Sequence, residues 1–325
     1  MVQGHERPRL RPRPFGSGGL VTLSPDIALV IVNYGSDALL DENLHGLDRE
    51  IDPAHVVVVD NFRSAADSER MSTLATRRGW SLVCLPQNQG FGSGTNAGVA
   101  RAQELGCRRF LLINPDARID AVGVAALAEE CAARPQNIVG ARIRRPDGSV
   151  WFHGGTILLD RGRTSTGPAA RSSAPGGWIT GACLMIHTDL WDRLGGFDDE
   201  YFLYWEDVDL SWRCTESGGR LTVLPDLKVE HSVGGTQVGG GKSTTYVYYN
   251  CRNRLLFASR HLSRKRLLSW LLTSPGYASA VMQHGGRRAL ARHPVSMIGA
   301  ALFGTAAGGT QALIRPVARP TQTNG

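Results

Sequence analysis

Four runs of consecutive apolar residues mark the first 115 positions: Ile27–Val32, Val56–Val59, Leu82–Leu85 and Phe110–Ile113. Each is continuous rather than alternating, as in a strand covered on both faces, and the gaps between runs are long enough for crossover helices. The pattern predicts an α/β fold with a mostly parallel central sheet flanked by helices. A polar group follows each run: Asn33-Tyr34, Asp60-Asn61, Gln87-Asn88-Gln89-Gly90 and Asn114-Pro115-Asp116. Open parallel sheets bind ligands beyond the carboxyl ends of their strands, where all four groups fall.

Farther on, Ala121–Ala133 reads as a helix and Ile138–Ile143 as a strand, and Pro146-Asp147-Gly148 opens an irregular, Gly-rich stretch to Gly177. Trp178–Ile186 is predicted as one strand and Leu221–Leu224 as another, with His231 in a following loop. Between them, YFLYWEDVDLSWRCTESGG predicts a helix. Val208 and Trp212 share one of its faces, Asp209 pairs with Arg213 one turn on, and Gly218-Gly219 ends it. From about Thr244 the pattern reads as three or four basic helices. The most apolar of these, His293–Ile314, is diluted by glycine, threonine and glutamine, which predicts a packed or interfacial helix rather than a spanning one.

Composition narrows the class. The 325 residues are 42% hydrophobic and 20% charged, enough for a sizeable core and inconsistent with a largely disordered chain. The six cysteines, at 84, 107, 131, 183, 214 and 251, never approach CxxC spacing and read as thiols of a reducing compartment. Net charge is +7, but its distribution says more. From His231 onward there are twelve Lys and Arg and no Asp or Glu, whereas the preceding residues hold 24 basic and 29 acidic side chains. A segment with only positive charge must face something anionic: substrate phosphates, acidic lipid or nucleic acid. No nucleic-acid reading motif is present, so that partner is not expected. Residues 1–24, where Arg alternates with Pro, lack the apolar core of a secretion signal and are expected to form a disordered basic tail. The expected organisation is that tail, a catalytic domain over 25–243 and a basic helical extension over 244–325.

Several residues are candidates for chemistry, each with a structural alternative. Gly90, Gly92, Gly94 and Gly98 lie between a strand and a helix, where small residues either let backbone approach a phosphate or simply make a turn. Their spacing is not GxGxxG, which disfavours a dinucleotide-binding oxidoreductase. Asp116 ends a buried strand, as a turn former or as a carboxylate that shares Mg²⁺ or Mn²⁺ with a diphosphate. His231 is either a further ligand or a satisfied loop histidine. Glu206 and Asp207 open a helix, where acids oppose the macrodipole, but their aromatic approach, Tyr201–Trp205, also suits a desolvated general base. Adjacent helical residues point about 100° apart, so one of the pair faces the substrate, and periodicity leaves open which.

Taken in order, ALVIVNYGS, VVDN, NQGFGSGTNAG, LLINPDA, WITGACLMI, GGFDDEYFLYWEDVDLSWR and HSVGG resemble the family 2 glycosyltransferases of GT-A fold, especially bacterial rhamnosyltransferase-like members. The resemblance spans roughly Asp26 to Asn253, about 70% of the chain. It implies a donor pocket for a nucleotide-sugar formed by Asn33, Asp60, Asn88, Gly90, Asn114 and Asp116. It also implies a divalent metal, Mg²⁺ or Mn²⁺, on Asp116 and His231, and Asp207 as the base. Trp178, Thr180, Gly181 and Glu206 would lie on the acceptor side. Asn114 departs from the family's usual first acid, leaving fewer protein charges on the metal. The implied reaction is inverting transfer, most plausibly of L-rhamnose from dTDP-rhamnose, to a lipid-linked or polysaccharide acceptor of the bacterial cell envelope. Other donors (UDP-galactofuranose, UDP-GlcNAc or GDP-mannose) and a non-catalytic binding module are the alternatives. The expected location is cytoplasmic, at the inner face of the membrane, held there by the basic helices. A homodimer is possible. Arg252 and Arg254, after Tyr246–Tyr249, are candidates for the diphosphate of a polyprenyl-linked acceptor.

Overall fold

A computed structural model describes residues 23–166, 176–232, 243–284 and 287–314, so nearly all of the expected N-terminal tail lies outside the described residues, as do the positions after Ser232 in HSVGG. The first half alternates as predicted: β1 (Ile27–Asn33), α1 (Asp37–Asn43), β2 (Val56–Asp60), α2 (Ala65–Arg78), β3 (Ser81–Cys84), α3 (Gly90–Glu104) and β4 (Arg109–Ile113). These strands pair in parallel in the order β3-β2-β1-β4. β1 and β2 are buried at every position, which is why their apolar runs are unbroken.

The chain continues through β5 (Ala117–Ile119), α4 (Ala121–Ala133), β6 (Ile138–Arg144) and β7 (Val150–Phe152). A small antiparallel sheet follows, β8 (Gly155–Leu158), β9 (Arg163–Thr166) and β10 (Gly177–Trp178), and then β11 (Cys183–His187), α5 (Thr188–Leu194), α6 (Glu206–Glu216) and β12 (Leu221–His231). β11, β6, β12 and β5 extend the main sheet beyond β4, with β7 paired to β6. β11 runs antiparallel to both of its neighbours, whereas β6 and β12 are parallel to each other. Three residues, Asn114 to Asp116, separate β4 in mid-sheet from β5 at the far edge. Four peptide steps reach at most about 14 Å. Four inter-strand spacings of a flat sheet span about 19 Å. The sheet must therefore curl, and the curl brings the ends of β4 and β12 together around Asp116.

Three expectations are corrected. Trp178–Ile186 is not one strand, because three backbone donors between β10 and β11 bond to side chains instead of a ladder. The N–H of Ile179 donates to Ser211 Oγ (3.0 Å), Gly181 to Asp207 Oδ2 (3.1 Å) and Ala182 to Thr180 Oγ1 (3.3 Å). β12 does not stop at Leu224. Pro225 has no N–H to give, pairing skips from Leu224 to Val229, and the strand resumes, so His231 is a strand residue paired with Ala117 and not a loop residue. The stretch to Gly177, expected to be irregular, holds four short strands among its described residues.

The C-terminal part contains five described helices rather than three or four: α7 (Thr244–His261), α8 (Arg264–Leu272), α9 (Ser274–His284), α10 (Arg287–Arg292) and α11 (Pro294–Ile314). They do not stand apart. Leu255, Phe257 and Trp270 share one core cluster with Tyr201, Trp205, Val208 and Trp212 around α6. α11 lies along α7 at close range: a Cβ at Gly308 would come within 2.5 Å of Arg252 O, and one at Gly304 would overlap Tyr248 O. With 21 residues and a mean hydropathy of 1.3, α11 is long and apolar enough to cross a bilayer by length and composition, although the sequence reading favoured a packed or interfacial helix. Its glycines reduce bulk more than apolarity, and two of them make the seat on α7.

Candidate functional site

The ends of β1, β2 and β3 form one wall. Asn61 is its pivot: its Oδ1 accepts from Gln89 N (2.9 Å), and its Nδ2 donates to Asn88 Oδ1 and Gly90 O (both 3.0 Å). Asn88 Oδ1 also accepts from Gly90 N (2.9 Å). Asn33 Oδ1 accepts from Ser36 N (3.0 Å), so this side chain shapes the turn after β1. Asp60, opposite Asn33 in the parallel register, is different, because its Oδ1 is buried with no hydrogen-bond partner. Sequence reasoning named Asn61 in the Asp60-Asn61 group after β2 but gave a role to Asp60 alone.

The glycines here meet protein where a Cβ would sit, which is the turn-and-packing role the sequence offered as one of two readings. At Gly90 (φ +88°) a Cβ would collide with the Phe202 backbone, and at Gly98 it would lie 2.5 Å from Val30 Cγ1. The first amides of α3 are also engaged, Gly90 N by Asn88 and Phe91 N by Phe202 O (3.0 Å). The glycines exist so that α3 can press on β1, β2 and the turn before α6.

Asp116 and His231, 115 residues apart, meet at the curl: His231 Nε2 lies 2.8 Å from Asp116 Oδ1, both side chains buried. The backbone is tied there too, Ser232 N donating to Asp116 O (2.9 Å). The Trp151 ring covers the imidazole at 4.5 Å, leaving His231 Nδ1 buried and without a partner. Trp151 was missed because its strand read as irregular. Among the described residues no three His, Cys, Asp or Glu side chains converge as a metal site. The pair offers one imidazole nitrogen and one carboxylate, and such a set suits a hard cation that completes its shell with diphosphate oxygens and water.

Asp207 forms the facing wall at the start of α6. Its Oδ2 accepts from Gly181 N (3.1 Å) and its Oδ1 from Val208 N (2.8 Å). One residue from Gly181, Ala182 O accepts from Asn114 N (3.1 Å), so consecutive residues connect Asp207 to the turn that holds Asp116. Asn114 O closes that turn by accepting from Ala117 N (3.0 Å). The end of β4, the segment between β10 and β11 and the α6 N-terminus are thus joined by direct hydrogen bonds. Burial, working against the two N–H bonds, pushes the Asp207 carboxyl up to about 6. Glu206 is pushed well above the carboxylate range, by burial first and then by the Asp207 charge, and its Oε2 is buried without a partner. Of the two, Asp207 is partly exposed, whereas Glu206 is buried.

The approach to α6 is strained. Tyr204 and Trp205 both take positive φ (68° and 75°), a conformation that costs non-glycine residues about 1–3 kcal/mol each. Asn253 of α7, fully buried, donates to Leu203 O (2.9 Å) and Tyr204 O (2.8 Å) and holds the turn. Trp178, named for the acceptor side, packs on Phe152 at 5.0 Å, with its Nε1 buried and unpartnered. Arg254 is not available to a diphosphate. It is fully buried, donates to Gly162 O, Ser274 Oγ and Thr273 Oγ1, and lies over Trp270 and Tyr277.

No protein-family profile matches the chain. Among curated proteins it is similar to the N-acetylglucosaminyl-diphospho-decaprenol L-rhamnosyltransferase of Mycobacterium tuberculosis (strain CDC 1551 / Oshkosh). The two are 26% identical over 233 residues, 63% of this chain and 75% of that protein. It is also similar to the dTDP-rhamnosyl transferase RfbF of Shigella flexneri, 23% identical over 222 residues, 66% of this chain and 72% of that one. Among solved structures, the mannosyltransferase PcManGT from Pyrobaculum calidifontis, in complex with GDP-Man and Mn²⁺, aligns with a TM-score of 0.52 at 14% identity. That alignment covers 93% of this chain and 91% of that one. GalNAc-T7, solved with UDP, GalNAc and Mn²⁺, aligns at 0.52 and 15% identity over 72% and 50% of the two chains. The fold is that of the GT-A glycosyltransferases. With rhamnosyltransferases among its sequence relatives, the class to which fold and relatives point is a nucleotide-sugar glycosyltransferase.

Proposed function

We propose that the protein is an inverting glycosyltransferase of family 2. It moves L-rhamnose from dTDP-rhamnose to a lipid-linked or polysaccharide acceptor, at the cytoplasmic face of the membrane, in bacterial cell-envelope synthesis. The observation that carries this reading is Asp207, a desolvated carboxylate raised to about 6, fixed by two backbone N–H groups and linked through Gly181-Ala182 to the turn that holds Asp116. A base poised near neutral pH can accept the proton of an attacking hydroxyl. Asp207 would act as the one base, and direct displacement by the acceptor hydroxyl would invert the anomeric carbon.

On the opposite wall the unpartnered Asp60 Oδ1 is available to a nucleoside donor group, and Asn61 and Asn88 hold the loop beside it. Asp116 and His231 would hold Mg²⁺ or Mn²⁺, which when bound supplies positive charge to the departing diphosphate. Both fold neighbours were solved with Mn²⁺, and the rhamnosyl names of the relatives favour that donor over UDP-galactofuranose, UDP-GlcNAc or GDP-mannose. The test is thermal stabilisation of the purified protein by a panel of nucleotide-sugars with and without Mn²⁺. dTDP-rhamnose should stabilise most, and Asp116→Ala should lose the metal-dependent part. Asp207→Asn should still bind donor but transfer nothing; unchanged turnover would leave a binding module or a different base.

A further inference from the structure

The apolar surface of the molecule is concentrated on two helices. Of twelve large hydrophobic side chains exposed among the described residues, eight lie on α8 and α11. Val295, Ile298 and Leu302 recur at three- and four-residue spacing and form a stripe along α11, with Phe303 (73% exposed) beside it. Leu268 and Leu272 (82% exposed) of α8 are exposed as well, and α8 adjoins α11 where Leu271 Cδ2 lies 3.4 Å from the place a Cβ on Gly309 would take. The opposite face of α11 is occupied by α7 through Gly304 and Gly308. The stripe is therefore the unpartnered side of an otherwise packed helix.

Charge selects what covers it. Exposed Arg264 and Lys265 begin α8 and exposed Arg292 precedes α11, while Arg266 pairs with Asp160 (3.4 Å) at the rim. No Asp or Glu occurs anywhere after Glu230. A second copy of the chain docking face to face would set this basic rim against itself, which disfavours a dimer through this surface. An anionic bilayer complements both parts, head groups meeting the basic rim and acyl chains the stripe.

We infer that α8 and α11 together form a monotopic membrane-docking surface that inserts the Val295–Phe303 stripe into the interface of an anionic bilayer. This rests on the proposed membrane location and deepens it by giving it a face, where the sequence reading offered basic helices and a packed or interfacial helix over His293–Ile314. It does not depend on the sugar or the acceptor, so its test contains neither. Full-length protein is sedimented with phosphatidylcholine vesicles with or without about 30% phosphatidylglycerol, at low and high salt. Wild type should bind the anionic vesicles and keep part of that binding at high salt. The double variant L302Q/F303Q should weaken partition by about tenfold or more. Replacing Arg264, Lys265 and Arg292 by Gln should remove the salt-sensitive part alone. Phe303→Trp, a variant that preserves the stripe, should add a blue-shifted emission that bromo-lipids quench. Wild-type partition of L302Q/F303Q, or added emission from Phe303→Trp that the vesicles leave unshifted, would overturn the inference. A dimer that L302Q/F303Q dissociates would make the face an interface between copies instead. Resistance to alkaline carbonate extraction would make α11 a spanning helix.

Discussion

At the scale of single residues, the proposed reaction turns on the Glu206–Asp207 pair, and its physics can be read by titration. Asp207 titrates near 6 in the folded protein, above the ordinary 3.8. Between those values the unfolded chain has shed this proton while the folded one keeps it. This carboxyl therefore makes stability fall as pH rises from about 4 through 6. Asp207→Asn removes that slope, so the stability of the variant relative to wild type should grow by about 1–2 kcal/mol between pH 4 and 7, after allowance for partial exposure. Calorimetric melting at both pH values measures it. Wild-type kcat/KM should rise through the same pH range as the base ionises. The sequence placed both acids at a helix start but could not choose between them. Choosing depended on which backbone N–H groups would be free, and the Gly181 amide became free only because the ladder broke there.

Among the elements, the turn before α6 and the helix behind it act as a unit. Two left-handed residues persist because Asn253 takes the carbonyls of Leu203 and Tyr204, and because Trp205 is wedged against Phe257 and Trp270. Asn253→Ala leaves two carbonyls without their donor, at a cost of about 2–4 kcal/mol. It should lower kcat while leaving donor affinity near wild type, since no donor-side residue touches Asn253; a matched loss of both would argue against this division. α6 itself was legible, including the Asp209–Arg213 ion pair (2.7 Å) one turn apart. What could not be foreseen is that Asp209 also holds His261 at the end of α7 (2.6 Å), because that contact joins segments 52 residues apart. β1, β2 and most of β4 were legible for the opposite reason: burial leaves an unbroken apolar run, and no partner need be known to see it. Strands whose hydrogen bonds are diverted, at Pro225 and at Ile179–Ala182, carried no such mark.

For the molecule as a whole, the boundary expected near Thr244 does not separate two cores. Trp270 is fully buried, stacks on Phe257, contacts Trp205 and donates to Leu159 O (2.7 Å). Truncation after residue 262 removes it, a loss comparable to Trp270→Ala at about 3–5 kcal/mol or more. The truncated chain should be poorly soluble or melt well below full length, so it cannot serve as a clean test of membrane attachment. A soluble truncation with wild-type melting would restore an independent helical extension. Charge polarity along the chain was visible from composition, whereas the apolar stripe beneath it was hidden by the glycines of α11, which lower a sequence average without covering a surface.

The closing of the sheet upon itself has a bearing on synthesis. The parallel half is complete once the first 113 residues have left the ribosome, and it can collapse early around its own apolar strands. The imidazole that meets Asp116 arrives more than a hundred residues later, and the amide that restrains Tyr204 later still. On the proposed reading, a nascent chain therefore carries its nucleotide-side wall for a long interval before the residues assigned to transfer exist, and turnover would await the last parts to emerge.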